Sequence, residues 1–317
     1  MNSATNSATN SATKDRLIVV PVPGQGAEDV LVDDEGCVYT GTEDGSVFKV
    51  QNGGDRIERV GTTEGRPLGL ELLPDGRILV CDARRGLLAM NPSDGRTEVL
   101  TALVRGQRLL FCNNAAVATS GAIYFTDSSR FHPIERWKAD IVEDTRSGRL
   151  LRRDTDGGVE VLLEQLAFAN GVALAADESY VAVAESGGRT VVRRWLTGPR
   201  AGRSDHLAPD LPGYPDNIAR GSDGLIWVTI ASPKDPVLER LMRAPMPLRR
   251  AAWKLPAALQ PKPQRTVRVM AFDDSGGVVH DRSLDASRFH MATGVREHHG
   301  RVWLGSLIQP AVAYFEV

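Results

Sequence analysis

A chain of 317 residues that is 42% hydrophobic and 25% charged has ample material for a buried core, which excludes a disordered or fibrous protein. Its net charge of −2 and pI near 6.3 provide no basic surface for nucleic acid. No apolar run approaches the roughly 20 residues needed to span a bilayer.

Residues 2–13 repeat Asn-Ser-Ala-Thr three times. This stretch lacks the basic start and apolar core of a signal peptide, so residues 1–14 are expected to form a disordered, low-complexity tail and residues 15–317 a single domain. The three cysteines, Cys37, Cys81 and Cys112, form no CxxC pair and are expected to be buried free thiols. Together with the missing leader, they set the expectation of a cytoplasmic protein.

Leu17–Val22 is the first strand-like segment. A repeated unit then follows, consisting of an alternating strand, a short turn and a second strand that ends in small or polar residues. Copies span Val30–Tyr39, Leu68–Val80, Ala115–Thr126, Val172–Ala184, Ile218–Thr229 and Gly294–Leu304. The turns fall at Asp34-Glu35-Gly36, Pro74-Asp75-Gly76, Ser120-Gly121, Ala176-Asp177-Glu178, Ser222-Asp223-Gly224 and His299-Gly300. Further strands follow several copies, at Gly45–Val50, Gly86–Asn91, Leu150–Asp154 and Thr190–Trp195. Six units of roughly 40–60 residues, each with about four strands, predict an all-β, six-bladed propeller. The strand-like ends Leu17–Val22 and Ala311–Val317 are predicted to share a blade and close the ring. Long helices are not expected. Glu239–Ala257 has room for a helical turn or two, but Pro245, Pro247 and Pro256 favour an insertion loop over one face.

The start of each unit holds the chemistry. Gly26-Ala27-Glu28-Asp29-Val30, Phe111-Cys112-Asn113-Asn114-Ala115, Phe168-Ala169-Asn170-Gly171-Val172 and Tyr214-Pro215-Asp216-Asn217-Ile218 each place an oxygen-rich residue just before a strand. Any one of them alone is ordinary turn chemistry. In a ring, however, the first strands line the central channel, and Glu28, Asn113, Asn170, Asp216 and Asn217 converge. Carboxylate and amide oxygens without His or Cys suit a hard cation such as Ca²⁺ rather than zinc or copper.

Several longer stretches resemble the strictosidine synthase-like branch of the calcium-dependent phosphotriesterase superfamily, which includes paraoxonases and gluconolactonases of the senescence-marker type. They are Gly65-Arg66-Pro67-Leu68-Gly69-Leu70, Ile123-Tyr124-Phe125-Thr126-Asp127-Ser128-Ser129, Leu166–Leu174, Ala184-Glu185 and Leu211–Ile218. The resemblance covers nearly the whole chain from about residue 17. It implies a propeller with one catalytic Ca²⁺ in the channel, held by Glu28, Asn113, Asn170, Asp216 and Asn217. Asp216 is then the candidate general base, and Asp216 and Asn113 are the candidate catalytic residues. Asp29 and Asn114 stand where paraoxonases bind a second, structural ion, but Asn114 replaces a carboxylate there.

Two departures narrow the chemistry. Thr293 stands where strictosidine synthases are expected to carry an acid/base glutamate, and Leu68 stands where paraoxonases carry a histidine. The expectation is therefore a calcium-dependent hydrolase of small-molecule esters or lactones, with Asp216 activating water. The alternatives are another reaction on this scaffold (lyase, isomerase or condensation) and a non-enzymatic ligand-binding propeller. Leu68, Phe131, His132, Glu185, His290 and Thr293 are candidate pocket residues. Trp137 and Phe289 are further candidates for an apolar wall, and Arg249, Arg250 and Lys254 form a basic cluster in the insertion. The expected partner is a small-molecule substrate. Oligomeric state is left open.

Overall fold

A computed structural model describes residues 16–253 and 264–317; the expected tail at residues 1–14 and Lys254 lie outside them. The chain enters through β1 (Ile18–Pro21) and then builds its blades in sequence order. Blade 1 holds β2 (Leu31–Val32), β3 (Val38–Gly41), β4 (Ser46–Gln51) and β5 (Arg56–Thr62). Blade 2 holds β6 (Pro67–Leu72), β7 (Ile78–Asp82), β8 (Gly86–Met90) and β9 (Thr97–Thr101), and is followed by a small hairpin of β10 (Leu103–Val104) and β11 (Gln107–Arg108). Blade 3 holds β12 (Cys112–Val117), β13 (Ile123–Asp127), β14 (Gly148–Arg153) and β15 (Val159–Leu166). Blade 4 holds β16 (Ala169–Leu174), β17 (Tyr180–Glu185), β18 (Thr190–Trp195) and β19 (Ser204–Ala208). Blade 5 holds β20 (Gly213–Arg220), β21 (Ile226–Pro233), β22 (Val267–Phe272) and β23 (Val278–Leu284). Blade 6 holds β24 (Ala292–His298), β25 (Arg301–Ser306) and β26 (Ala311–Glu316), and its fourth strand is β1. The two ends of the chain therefore fasten the ring as expected, with Ile18 opposite Tyr314 and Pro21 opposite Ala311 in antiparallel register.

Apolar side chains fill the gaps between neighbouring blades in six clusters. Trp227, Phe289 and Phe315 pack between blades 5 and 6, for example, and Leu79, Phe125 and Leu151 between blades 2 and 3. Because the blades stack face to face, the second strands are covered on both sides. β7, β13 and β17 are buried along their whole length rather than half-buried as the alternating pattern had suggested. That double burial explains their near-continuous apolar sequences, Ile-Leu-Val-Cys-Asp and Ile-Tyr-Phe-Thr-Asp among them. All three cysteines are buried and free.

The first strands carry the feature that builds the site. In β6, β12, β16, β20 and β24 the register slips across one pair of residues: Leu68-Gly69, Asn113-Asn114, Asn170-Gly171, Asp216-Asn217 and Thr293-Gly294. Glu28-Asp29 is the matching pair in blade 1, immediately before β2. Bulges of this kind re-aim side chains. Every other blade has glycine as the second member, and the backbone of the next blade lies against it. A Cβ on Gly69 would sit 2.6 Å from the Asn114 Cα, one on Gly294 2.6 Å from the Asp29 Cα, and one on Gly171 2.1 Å from the Ile218 nitrogen.

Two insertions build a helical cap over the channel, and the one in blade 5 is helical where the prolines of Glu239–Ala257 had favoured a loop. Blade 3 contributes α1 (Trp137–Glu143), and blade 5 contributes α2 (Pro236–Met242) and α3 (Met246–Trp253). Pro236 occupies the first turn of α2, where its missing N–H costs nothing, and Asp235 caps the helix by accepting from Val237 N (2.8 Å) and Leu238 N (3.1 Å). Pro247 likewise sits in the first turn of α3. The basic cluster clasps the cap: Arg249 donates to the Glu143 carbonyl (3.0 Å), and Arg250 approaches the Glu143 carboxylate (3.7 Å).

A chain beginning at Pro23 lacks the closing strand and leaves the β26 edge open; thermal unfolding should show a loss of about 3 kcal/mol, or roughly 5 °C. Gly171→Ala pushes a methyl into the next blade's backbone and should cost at least about 2 kcal/mol in urea unfolding.

Candidate metal centre

The first members of the six bulge pairs, Glu28, Leu68, Asn113, Asn170, Asp216 and Thr293, all line one cavity at the channel mouth. Its volume of about 120 Å³ exceeds several-fold the roughly 15 Å³ that one water needs on the same measure, so an ion and part of a small molecule fit together.

Hydrogen bonds determine which atoms face inward. The Asn113 amide nitrogen donates to Ser128 Oγ (2.9 Å), and Ser128 donates its own proton to the Ala169 carbonyl (2.6 Å). The Asn170 amide nitrogen donates to Ser186 Oγ (3.2 Å), and Ser186 donates to the Pro215 carbonyl (2.6 Å). Each serine hydroxyl has spent its hydrogen and can only accept from the amide, so both amides are oriented with the oxygen free. Asn217 donates to Glu28 Oε1 (3.1 Å). The result is four buried oxygens without a hydrogen-bond partner: Glu28 Oε2, Asn113 Oδ1, Asn170 Oδ1 and Asn217 Oδ1. Unpaired buried polar atoms are costly, and acceptors without a donor fit a cation.

Electrostatics point the same way. Burial, then the charges of Asp29 and Asp216, hold the Glu28 carboxyl well above the usual carboxylate range. Burial raises Asp216 to about 7, with Asp29 adding to the shift and a hydrogen bond from Asn170 opposing it. A bound divalent ion would supply the missing compensation.

The Asp29 and Asn114 positions are already occupied by protein contacts. Asp29 Oδ2 accepts from Leu70 N (3.0 Å) and from the Asn114 amide (3.2 Å), while Asn114 Oδ1 accepts from Val172 N (3.0 Å). Burial raises Asp29 to about 6, and Arg296, itself paired with Glu71, is the main opposing charge. These side chains tie blades 1, 2, 3 and 4 together, and a guanidinium already faces Asp29. A second acidic group, Asp33, Glu35 and Cys37, lies away from the channel; there Asp33 Oδ1 accepts from Glu35 N (3.1 Å) and Cys37 N (2.8 Å) and so holds a turn.

Of the other pocket candidates, Leu68 and Thr293 line the cavity, although the Thr293 hydroxyl donates to the Glu28 carbonyl (2.8 Å). Four do not line it. Phe131 is 66% exposed. His132 is buried behind α1, with Nε2 3.5 Å from Glu143. Glu185 accepts from Ala167 N (2.7 Å) and Thr190 Oγ1 (3.0 Å), which makes it a fastener within blade 4. His290 contacts Gln309 (3.1 Å). Phe289 is core between blades, whereas Trp137 lines the cavity. Sequence reasoning missed Ser128 and Ser186 as orienting residues. A signal existed: they follow Asn113 and Asn170 by 15 and 16 residues, at the ends of matching second strands. It also missed Phe111 and Phe168, whose rings meet edge-to-face at 5.3 Å.

The architecture and the site define a six-bladed propeller with an oxygen-donor centre on its axis. The strictosidine synthase profile matches residues 113–199, and the profile of the strictosidine synthase-like N-terminal region matches residues 13–50. Rat (Rattus norvegicus) adipocyte plasma membrane-associated protein is 33% identical over 301 residues, covering 87% of this chain and 79% of the relative. Strictosidine synthase-like protein 6 of Arabidopsis thaliana is 32% identical over 272 residues, covering 83% and 71%. The chain belongs to this strictosidine synthase-like family. In structure it is similar to a gluconolactonase from Xanthomonas campestris (TM-score 0.70, 16% identity, 98% and 93% covered). It is also similar to regucalcin, a calcium-binding protein of Agrobacterium tumefaciens (TM-score 0.62, 12% identity, 93% and 94% covered).

The raised carboxyls set a pH dependence. Glu28 and Asp216 hold protons in the folded state to higher pH than in an unfolded chain. In the ion-free protein these two groups therefore contribute stability that is present at low pH and is lost as pH rises from about 4 through about 7. A cation must displace those protons, so calorimetry should show Ca²⁺ affinity falling at least tenfold between pH 8 and pH 6, with proton release on binding. At pH 8, Ser186→Ala should weaken binding by about tenfold through loss of amide orientation.

Proposed function

We propose that the protein is a calcium-dependent hydrolase of small-molecule esters or lactones. The observation that supports this most directly is the gathering of four unpartnered oxygens, three on the cavity-lining Glu28, Asn113 and Asn170 and one on Asn217 beside Glu28, at a cavity with an apolar wall. The structural neighbours, a gluconolactonase and a calcium-binding regucalcin, agree with it.

In this reading Glu28, Asn113, Asn170, Asp216 and Asn217 hold the ion. When bound, Ca²⁺ supplies a Lewis acid at the channel mouth that polarises a carbonyl oxygen. The protein contributes position and proton handling. Ser128 and Ser186 lock the asparagines so that no reorganisation is needed when substrate arrives. Asp216 lines the same cavity and in this reading accepts a proton from an attacking water. The phenyl rings of Phe111 and Phe168 keep bulk water from the floor. Thr293 and Leu68, at the two bulge positions without a carboxylate or amide, supply no acid or base. This disfavours a condensation that needs a second proton carrier.

The test is hydrolysis of aryl acetates and aliphatic δ-lactones before chelation, after EGTA, and with Ca²⁺ restored. Activity should vanish and return. Asp216→Asn should lower kcat by at least about a hundredfold while still binding Ca²⁺. Near-normal turnover in that variant would remove Asp216 from the base role. Absence of turnover on the whole panel, with Ca²⁺ bound, would favour a different reaction or a ligand-binding propeller.

A further inference from the structure

The cavity has two unlike halves. Its floor is the oxygen ring. Its wall and roof are apolar: Leu68, Phe111 and Phe168 from the blades form one cluster with Ile141 of α1, and Trp137 and Leu238 pack against it from the two insertions. Most polar side chains in the wall are already engaged, and Ser232 accepts from Gln264 N (3.3 Å). The Tyr214 hydroxyl donates to Glu239 (3.0 Å), Asp235 Oδ1 caps α2, Ser186 serves Asn170 and the Pro215 carbonyl, and Lys138 lies over the Trp137 ring at 5.4 Å. A ligand carrying many hydroxyls would surrender its water hydrogen bonds here and find few free partners. A ligand with an alkyl or aryl group gains from burial against the same surface.

We infer that the helical cap is the specificity filter of this site. It admits uncharged carbonyl compounds that carry an apolar chain or ring and disfavours polyhydroxylated sugar lactones, with Trp137 and Leu238 as the determining residues. The inference rests on the hydrolase reading for its claim about turnover, but the filter itself is a property of binding. Trp137 comes from the blade 3 insertion and Leu238 from the blade 5 insertion, so the apolar roof exists only when α1 and α2 meet. Substrate choice is thereby separated from the metal floor: the ring holds the reacting carbonyl, and the cap reads what is attached to it.

Lactams are stable stand-ins for lactones, so binding can be measured apart from chemistry. We would titrate the Ca²⁺-loaded protein calorimetrically with δ-valerolactam, its 6-propyl and 6-pentyl derivatives, and gluconolactam, and measure hydrolysis of the corresponding lactones in parallel. The dissociation constant should fall roughly threefold to fourfold per added methylene, and gluconolactam should bind at least about tenfold more weakly than the pentyl compound. Trp137→Ala and Leu238→Ala should flatten the series to less than about twofold per methylene, and Trp137→Phe should restore most of the slope. Thermal melts and Ca²⁺ titration of each variant establish that the ring is intact. A flat series in the parent protein, equal binding of gluconolactam, or an unchanged slope in both alanine variants overturns the filter. A steep slope without lactone hydrolysis supports the filter and overturns the hydrolase reading alone. Hydrolysis with a flat slope does the reverse.

Discussion

The molecule depends on the contact between first strands around the axis. Their bulges bring backbone against backbone so closely that three of the six second positions have no room for a Cβ: Gly69, Gly171 and Gly294. The intervening three are Asp29, Asn114 and Asn217; Asp29 and Asn114 tie adjacent blades through Leu70 N and Val172 N, and Asn217 reaches from blade 5 to Glu28 of blade 1. Threonine hydroxyls from the second strands hold the bulge carbonyls: Thr40 bonds to Asp29 (2.7 Å), Thr126 to Asn170 (2.7 Å) and Thr229 to Thr293 (2.6 Å). With the backbone so constrained, the first member of each pair can only point at the cavity. Close packing of the ring and convergence of the site are one constraint.

That convergence is a cost to the fold. Glu28 and Asp29 are buried and Asp216 is half-buried within reach of their charge, and four oxygens go without donors. The deeper carboxylate is satisfied internally, since Asp29 has Leu70, Asn114 and the half-buried Arg296. The upper pair is not, and the difference separates a structural layer from a layer suited to a ligand ion. Natural proteins tend to break local rules of polar satisfaction where they function, and four of the unpartnered buried oxygens gather around the channel axis, on Glu28, Asn113, Asn170 and Asn217.

The ring and the cap obey different physics. The ring is held by six apolar interfaces between sheets and by a terminal strand that closes it. The cap consists of three short helices too small to be stable alone; they are held by a shared apolar cluster and by the Arg249 and Arg250 clasp on Glu143. A metal floor needs rigidity, whereas a roof that chooses substrates can vary without disturbing the interfaces beneath it.

The sequence by itself determined the propeller, its closure by the two ends, and the register of the oxygen-rich residues. These rest on local signals: a period-two strand and a turn repeated six times, and an oxygen-rich residue at one offset in four of the six. What it did not show was which oxygens remain free, because that depends on Ser128 and Ser186 donating to the carbonyls of Ala169 and Pro215 in neighbouring blades. Nor did it show that Glu185 and His132 are spent on structural contacts, or that Phe131 faces solvent. A short polar or aromatic residue in a loop has no periodicity to reveal its direction. The cap was hidden for the same reason. Trp137 and Leu238 are about 100 residues apart, and each reads as an isolated apolar residue until the tertiary structure sets them over one cavity.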